Sequence, residues 1–281
     1  MIGAIIGDII GSPYEFHNIK TKDFPLFSDK CCFTDDTILT CAMAEWLLSS
    51  QEPEKVLLKW GKLYASRTYE DGKIGAFSGG FSKWLENQDP YNAKSNGCVM
   101  RISPIFWGCK DKEEALKKAF EFTKITHNHE ESLNATGAYV ETGFLLKDGT
   151  NPQIIKNYIS HKYQYDLSQS LDEIRPNYNK FYCSCKNSVP QAIIAALDAT
   201  SYENAVRNAV SLGGDSDTLA AMAGGLAEIR FGVPENIQQE AVQYMDGNVI
   251  EMLQKFYHKF APKVLKIKSS QQFLKSRENN I

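Results

Sequence analysis

Two short runs concentrate oxygen donors in this chain: Thr34-Asp35-Asp36 and Asp215-Ser216-Asp217-Thr218. Each stands immediately before an apolar helical pattern, so each reads as a helix start crowded with carboxylates and a hydroxyl. Ordinary capping, in which Thr or Asp accepts from free backbone N–H groups, is the competing reading for either run alone. It accounts less well for two such starts, the second preceded by the tight turn Gly213-Gly214. If the two starts meet in space, four carboxylates and two threonine oxygens come together, and like charges at that density require cations. An all-oxygen donor set selects hard ions over zinc. A dinuclear magnesium or manganese centre is therefore expected. Glu15 reads from its surroundings alone as a loop acid, His127 as a cap or core histidine before a helix, and Arg101 as a partner for a phosphate or a buried acid, with the structural role favoured.

Positioning these groups falls to helices. Ile38, Leu39, Cys41, Ala42, Trp46 and Leu47 form one stripe after Thr34, and residues 53–66, 112–125, 131–147, 189–198, 202–211, 216–231 and 236–257 repeat the helical period. Alternating β-branched patterns are scarce, which predicts an all-α fold in a single compact multi-helix domain over residues 1–260, with a basic tail over 261–281. Gly3, Gly7 and Gly11 fall on one face of a first helix, where a neighbour can approach closely and hold that helix deep in the core. Residues 67–80 and 87–104, rich in Gly, Ser, Asn and Asp, read as functional loops. The polar and aromatic stretch 161–188 reads as an insertion or surface arm.

The 31 Lys+Arg and 34 Asp+Glu nearly cancel, so no global field draws the chain to nucleic acid or an anionic membrane. The tail, with Lys259, Lys263, Lys266, Lys268, Lys275 and Arg277, is a local exception and reads as a solvated end. No run reaches the ~18 apolar residues of a membrane span, and the apolar opening carries Asp8 without a cationic lead. Seven cysteines without repeated CxxC spacing suit reduced thiols in a cytoplasm. Cys183 and Cys185 lack the partners that would complete a zinc tetrahedron. A monomer is the default for a core of this size.

Taken in order, Gly7-Asp8 with Gly11 and Glu15, then Thr34-Asp35-Asp36-Thr37, Asn96-Gly97-Cys98-Val99-Met100-Arg101-Ile102, Thr126-His127 and Leu212-Gly213-Gly214-Asp215-Ser216-Asp217-Thr218 resemble the ADP-ribosylglycohydrolase family. That family includes dinitrogenase reductase-activating glycohydrolase and the animal ADP-ribosylhydrolases. The resemblance covers residues 1 to about 250. It implies two Mg2+ or Mn2+ ions at the bottom of an ADP-ribose cleft, held by Thr34, Asp35 and Asp36 on one side and Asp215, Asp217 and Thr218 on the other. It implies hydrolysis of the bond between ADP-ribose and a modified protein or small conjugate, with ADP-ribose as product. Glu15 or Asp217 would handle the proton or the water. Gly79, Asn96, Gly97, Arg101, His127, Gly213 and Gly214 would contact the substrate, with Gly75 and Gly80 also offering backbone N–H groups to its pyrophosphate. The segment around Glu15 looks closer to the serine-directed branch than to the arginine-directed one. Two alternatives stand beside this reading: a non-catalytic member that kept the fold, as the lens crystallins of the family, and a two-metal phosphoesterase.

Overall fold

The computed structural model describes residues 1–67, 77–89 and 91–267. The fold is all-α, with helices α1 (Ile2–Gly11), α2 (Asp35–Leu48), α3 (Pro53–Tyr64), α4 (Gly79–Asn87), α5 (Ile105–Gly108), α6 (Lys112–His127) and α7 (Glu130–Lys147) in its first half. The second half carries α8 (Pro152–Tyr163), α9 (Leu171–Ile174), α10 (Cys185–Leu197), α11 (Tyr202–Val210), α12 (Ser216–Phe231), α13 (Glu235–Ala241) and α14 (Gly247–Phe260). Among the described residues the only extended pairing is an isolated antiparallel bridge between Ser95 and Ser184.

The centre of the molecule is the pair α1 and α12. Every residue of α1 is buried, as is α12 from Ser216 to Glu228. The glycine face explains how they fit. A Cβ on Gly7 would lie 2.1 Å from the carbonyl oxygen of Ala220, and one on Gly3 would lie 2.5 Å from that of Gly224. The two backbones therefore touch directly along this face. A Cβ on Gly11 would meet the Asp217 Cα at 2.5 Å, so the contact runs up to the second acid motif. Tyr202 and Tyr139 donate their hydroxyls to carbonyls of the two helices, Gly3 O at 2.7 Å and Met222 O at 2.9 Å. Around this centre α12 also packs on α10, α11 and α7, while α2 packs on α3, α14 and α1.

The expected helix over 236–257 is two helices separated by a 3-10 turn at Val242–Tyr244. Met245 is extended, and Asp246 accepts from Val249 N–H at 3.0 Å as the cap of a new helix at Gly247. An apolar period that resumes in phase hides such a break. Helices α4, α5, α8 and α9 were not expected. Helix α8 follows an Asn151-Pro152 start in which Asn151 accepts from Gln153 N–H at 2.9 Å. The stretch 161–188 contains α9 and buries Tyr165, Leu167, Leu171, Ile174 and Tyr178. No described helix is long and apolar enough to cross a membrane. Of the tail cations, Lys268, Lys275 and Arg277 lie outside the described residues, as does Gly75.

Candidate metal centre

The two acid motifs meet. Thr218 Oγ1, in the first turn of α12, donates to Asp36 Oδ2 in the first turn of α2 at 3.1 Å. One group of carboxylate oxygens, from Asp8, Asp36 and Asp217, lies within 4.8 Å of one another, and a second comes from Glu15, Asp215 and Asp217. Asp217 belongs to both, so it links two carboxylate groups each of which could hold a cation.

Capping explains only part of this. Thr34 is an extended cap whose Oγ1 accepts from Asp36 N–H at 3.3 Å. Asp215 stands at the cap position of α12 without a side-chain cap bond to the helix backbone, and accepts from the Asn96 side-chain amide at 2.6 Å. Asp36 Oδ1 and Asp217 Oδ1 are buried with no hydrogen-bond partner. A buried carboxylate oxygen without a donor is costly, and here two share one pocket of like charge. Oxygen donors of this kind, unsatisfied by protein, fit hard divalent cations such as magnesium or manganese.

Asp8 is the residue that sequence reasoning passed over as a ligand-shell member. Its carboxylate accepts from Thr34 N–H at 2.9 Å, Thr34 Oγ1 at 2.8 Å, Thr37 N–H at 3.1 Å and Thr37 Oγ1 at 2.5 Å. Four donors on one carboxylate make it the anchor that fixes the α2 start against α1. The signal was an acid in the middle of an apolar helix, which must find partners when buried. Asp35, by contrast, falls outside both oxygen groups and is half-buried.

Burial pushes the carboxyl pKa values up throughout. Asp8 rises to about 6 despite its four hydrogen bonds. Asp35 rises to about 8, through burial first and then the charges of Asp8 and Asp215. Asp36 and Asp217 are raised well above the ordinary carboxylate value by burial and by their acidic neighbours. Folded carboxyls with raised pKa values hold protons that the unfolded chain has released. In chelator, the contribution of these carboxyls to stability is therefore fully present below about pH 4 and is lost as pH climbs through about 6 to 8. Saturating Mg2+ or Mn2+ should flatten or invert that decline. Unfolding midpoints against pH, with and without metal, check this, and a chelated profile that rises over the same range would contradict it.

The Glu15 segment is tied to the second motif by Asn18, another residue that sequence reasoning missed. Its side-chain amide donates to Tyr14 O at 2.7 Å, Glu15 O at 3.0 Å and Gly214 O at 3.0 Å, and its oxygen accepts from Gly214 N–H at 2.8 Å. An Asn18→Ala variant should bind metal normally and keep its unfolding midpoint within about 2 °C. Any reaction carried out at these acids should slow on the order of 10²-fold, because Glu15 loses its register against Asp215. Unchanged kcat would remove Asn18 from this role.

The expected substrate-contacting residues divide. Asn96 is buried and spends its amide on Asp215. Gly97 lies beside His127, a Cβ there falling 3.6 Å from Nε2. His127 bonds Thr126 Oγ1 through Nδ1 at 2.7 Å and Ser95 Oγ through Nε2 at 2.9 Å, and burial followed by the Arg101 charge holds its pKa well below the usual value. It is therefore neutral at pH 7. Arg101 has no exposed surface and reaches neither solvent nor an acid within ion-pair distance among the described residues. Its Nη2 instead donates to Thr126 Oγ1 at 2.8 Å and Phe122 O at 3.3 Å. Gly213 and Gly214 adopt φ of +75° and +71°, and their N–H groups are taken by Val210 O and Asn18 Oδ1. Their glycine identity serves the turn that aims Asp215. Gly79 opens α4 on the surface. Beside Glu15, the exposed ring of Phe16 stacks on exposed Phe181 at 5.8 Å, bringing the 161–188 segment to the rim.

A family model described as ADP-ribosylglycohydrolase matches residues 1–265. This chain belongs to the ADP-ribosylglycohydrolase family. Among similar proteins of that kind, ADP-ribosylhydrolase ARH3 of Bos taurus is 22% identical over 330 residues, spanning 89% of this chain and 89% of the relative. ADP-ribosylhydrolase ARH3 of Homo sapiens is 22% identical, spanning 89% of this chain and 90% of its own length. A solved structure titled ADP-ribosylglycohydrolase-related protein complex superposes with a TM-score of 0.61 over 92% of this chain and 96% of that one, at 18% identity. For this family member the superposition carries the fold alone.

Proposed function

We propose that this ADP-ribosylglycohydrolase family member is a magnesium- or manganese-dependent hydrolase that cleaves the glycosidic bond joining ADP-ribose to a modified protein side chain or small conjugate. The observation that carries the reading is Asp217, shared between two groups of buried carboxylates, with its Oδ1 and that of Asp36 left without protein donors. Thr34, Asp35 and Asp36 from the α2 start and Asp215, Asp217 and Thr218 from the α12 start would hold two ions, with Asp8 bracing Thr34 and Asn96 bracing Asp215. When bound, such ions supply Lewis acidity and lower the pKa of a nearby water.

The chain's own groups do the rest. Glu15 lies within reach of Asp217 and Asp215, and we assign it the proton of the attacking water. Cleavage passes through an oxocarbenium-like state, whose positive charge the surrounding carboxylates stabilise. Gly79, Asn96, Gly97 and neutral His127 are the side on which ADP-ribose is placed, and the leaving group is placed at the rim beside Phe16 and Phe181. Arg101 supports that wall through Thr126, which bonds His127, and Gly213 and Gly214 form the turn before Asp215.

The test is a panel of serine-linked, arginine-linked, acetyl-ester and nucleobase-linked ADP-ribose, each with Mg2+ and Mn2+. Release of ADP-ribose from at least one conjugate is expected, with none in chelator. Hydrolysis of nitrophenyl phosphate without release of ADP-ribose would replace the reading with a phosphoesterase. Weak metal binding with every conjugate left intact would mark a non-catalytic member.

A further inference from the structure

All seven cysteines are free thiols, and two of them, far apart in the chain, face one another. Cys98 Sγ lies 3.7 Å from Cys185 Sγ, at a sequence separation of 87 residues, and neither residue has exposed surface. Both thiols point at one acceptor, the carbonyl of Ser95, at 3.4 and 3.1 Å. The backbone holds them there. Asn96 N–H donates to Cys183 O at 2.8 Å and Cys185 N–H donates to Lys94 O at 2.9 Å, which are the two bonds of the Ser95 and Ser184 bridge. Cys185 thus pairs with Cys98 and not with its near neighbour Cys183, which is exposed.

We propose that Cys98 and Cys185 are an oxidisable dithiol that hydrogen peroxide closes into a disulfide, stapling the 183–185 segment to the turn carrying Asn96. A disulfide needs the sulfurs about 2 Å apart, so the closure asks for a shift of roughly 1.7 Å shared between two side chains. Burial opposes ionisation of Cys98, but the hydrogen bond with Cys185 and the nearby Arg101 charge outweigh it, leaving its pKa below the ordinary thiol value. In the first step the Cys98 thiolate attacks the peroxide O–O bond, gives a sulfenic acid and releases hydroxide. In the second, Cys185 Sγ attacks that sulfur: the S–S bond forms, the S–O bond breaks, and the departing hydroxide takes the Cys185 proton as water. Two thiols and one peroxide yield one disulfide and two waters, and a dithiol reductant reverses the change.

The staple sits two residues from Asn96, whose amide orders Asp215, so oxidation at this joint reaches the metal centre through one side chain. The experiment treats the full chain in Mg2+ with stoichiometric hydrogen peroxide under native conditions, followed by tryptic mass spectrometry. The expected product links Ser95–Arg101 to Phe181–Lys186, two hydrogens lighter than the separate peptides and lost on reduction. Cys183→Ser should keep the link, and Cys98→Ser and Cys185→Ser should each abolish it. The oxidised protein should unfold about 5 °C or more above the reduced one, because the closed loop is long. A native protein in which peroxide consumes Cys183 but never joins Cys98 to Cys185 would overturn the proposal, as would a link found only after urea or one running from Cys98 to Cys183.

Discussion

Asp217→Asn will make the metal-free protein harder to unfold while removing its turnover. The two effects have opposite signs because one side chain is a liability without metal and indispensable with it. In chelator at pH 8, a pH at which the unfolded chain has released this proton, the ionised form of Asp217 is opposed by burial and by Glu15, Asp215, Asp36 and Asp8, with Oδ1 unpartnered. Asparagine keeps its shape and removes one like charge. Relief of about 1 kcal/mol or more is expected, which is about 2 °C or more in the unfolding midpoint for a domain of this size. In saturating Mg2+ or Mn2+ the order reverses: the wild type gains stability from binding and the variant gains little. Turnover falls on the order of 10³-fold or more, because the shared residue of both carboxylate groups no longer carries charge. Differential scanning fluorimetry with and without metal, beside a rate measurement, separates the components. A lower midpoint for the variant in chelator would refute the like-charge account, and near-normal turnover would refute the central position of Asp217.

Gly7→Ala will be the most damaging single methyl added at any of the described glycines. The added carbon would stand 2.1 Å from Ala220 O and 2.6 Å from Ala220 C. Both are backbone atoms of α12, so no rotamer change can give way. The helices must part, and a cost of roughly 3 kcal/mol or more follows from overpacking of this severity. Because α1 carries Asp8 and α12 carries Asp217, metal affinity should fall with stability. Gly79→Ala is the matched control: its Cβ meets nothing within 4 Å, and the better helix former should be neutral or stabilising by up to about 1 kcal/mol. Thermal unfolding and metal titration of both variants decide the matter; equal midpoints would show that the close approach of α1 and α12 is not what the glycine spacing serves.

Much of this was legible in the residues before any coordinates. The glycine spacing of α1, the starts of α2 and α12, and the acid runs at those starts are local signals, and the helices put them where local rules say. The pairing of α2 with α12 was a supposition that needed a third element: Asp8, reaching from α1 to Thr34 and Thr37. An isolated acid announces that it must find partners, but not which helix will bring them. Asn18 was illegible for another reason. An exposed asparagine between His17 and Ile19 has no distinguishing pattern, and its meaning lies in a carbonyl and an N–H at Gly214, 196 residues away. Arg101 was legible only by type: a basic residue there suits a phosphate or a buried acid, with the structural role favoured, and its guanidinium is bonded to Thr126 and Phe122, a hydroxyl and a carbonyl that no spacing announces. The break at Met245 escaped because apolar spacing survives a short turn.

The contact of α1 with α12 has one further consequence, for how this protein can change over time. A seam made of peptide groups has no side chains to exchange, so it cannot drift by small compensating substitutions as an ordinary core does. The floor of the site is thereby a fixed datum. The rim is not: Phe16 and Phe181 come from segments far apart in the chain and meet by stacking their exposed rings. New leaving groups can be accommodated there, one substitution at a time, while the spacing of the carboxylates beneath stays as the glycines set it.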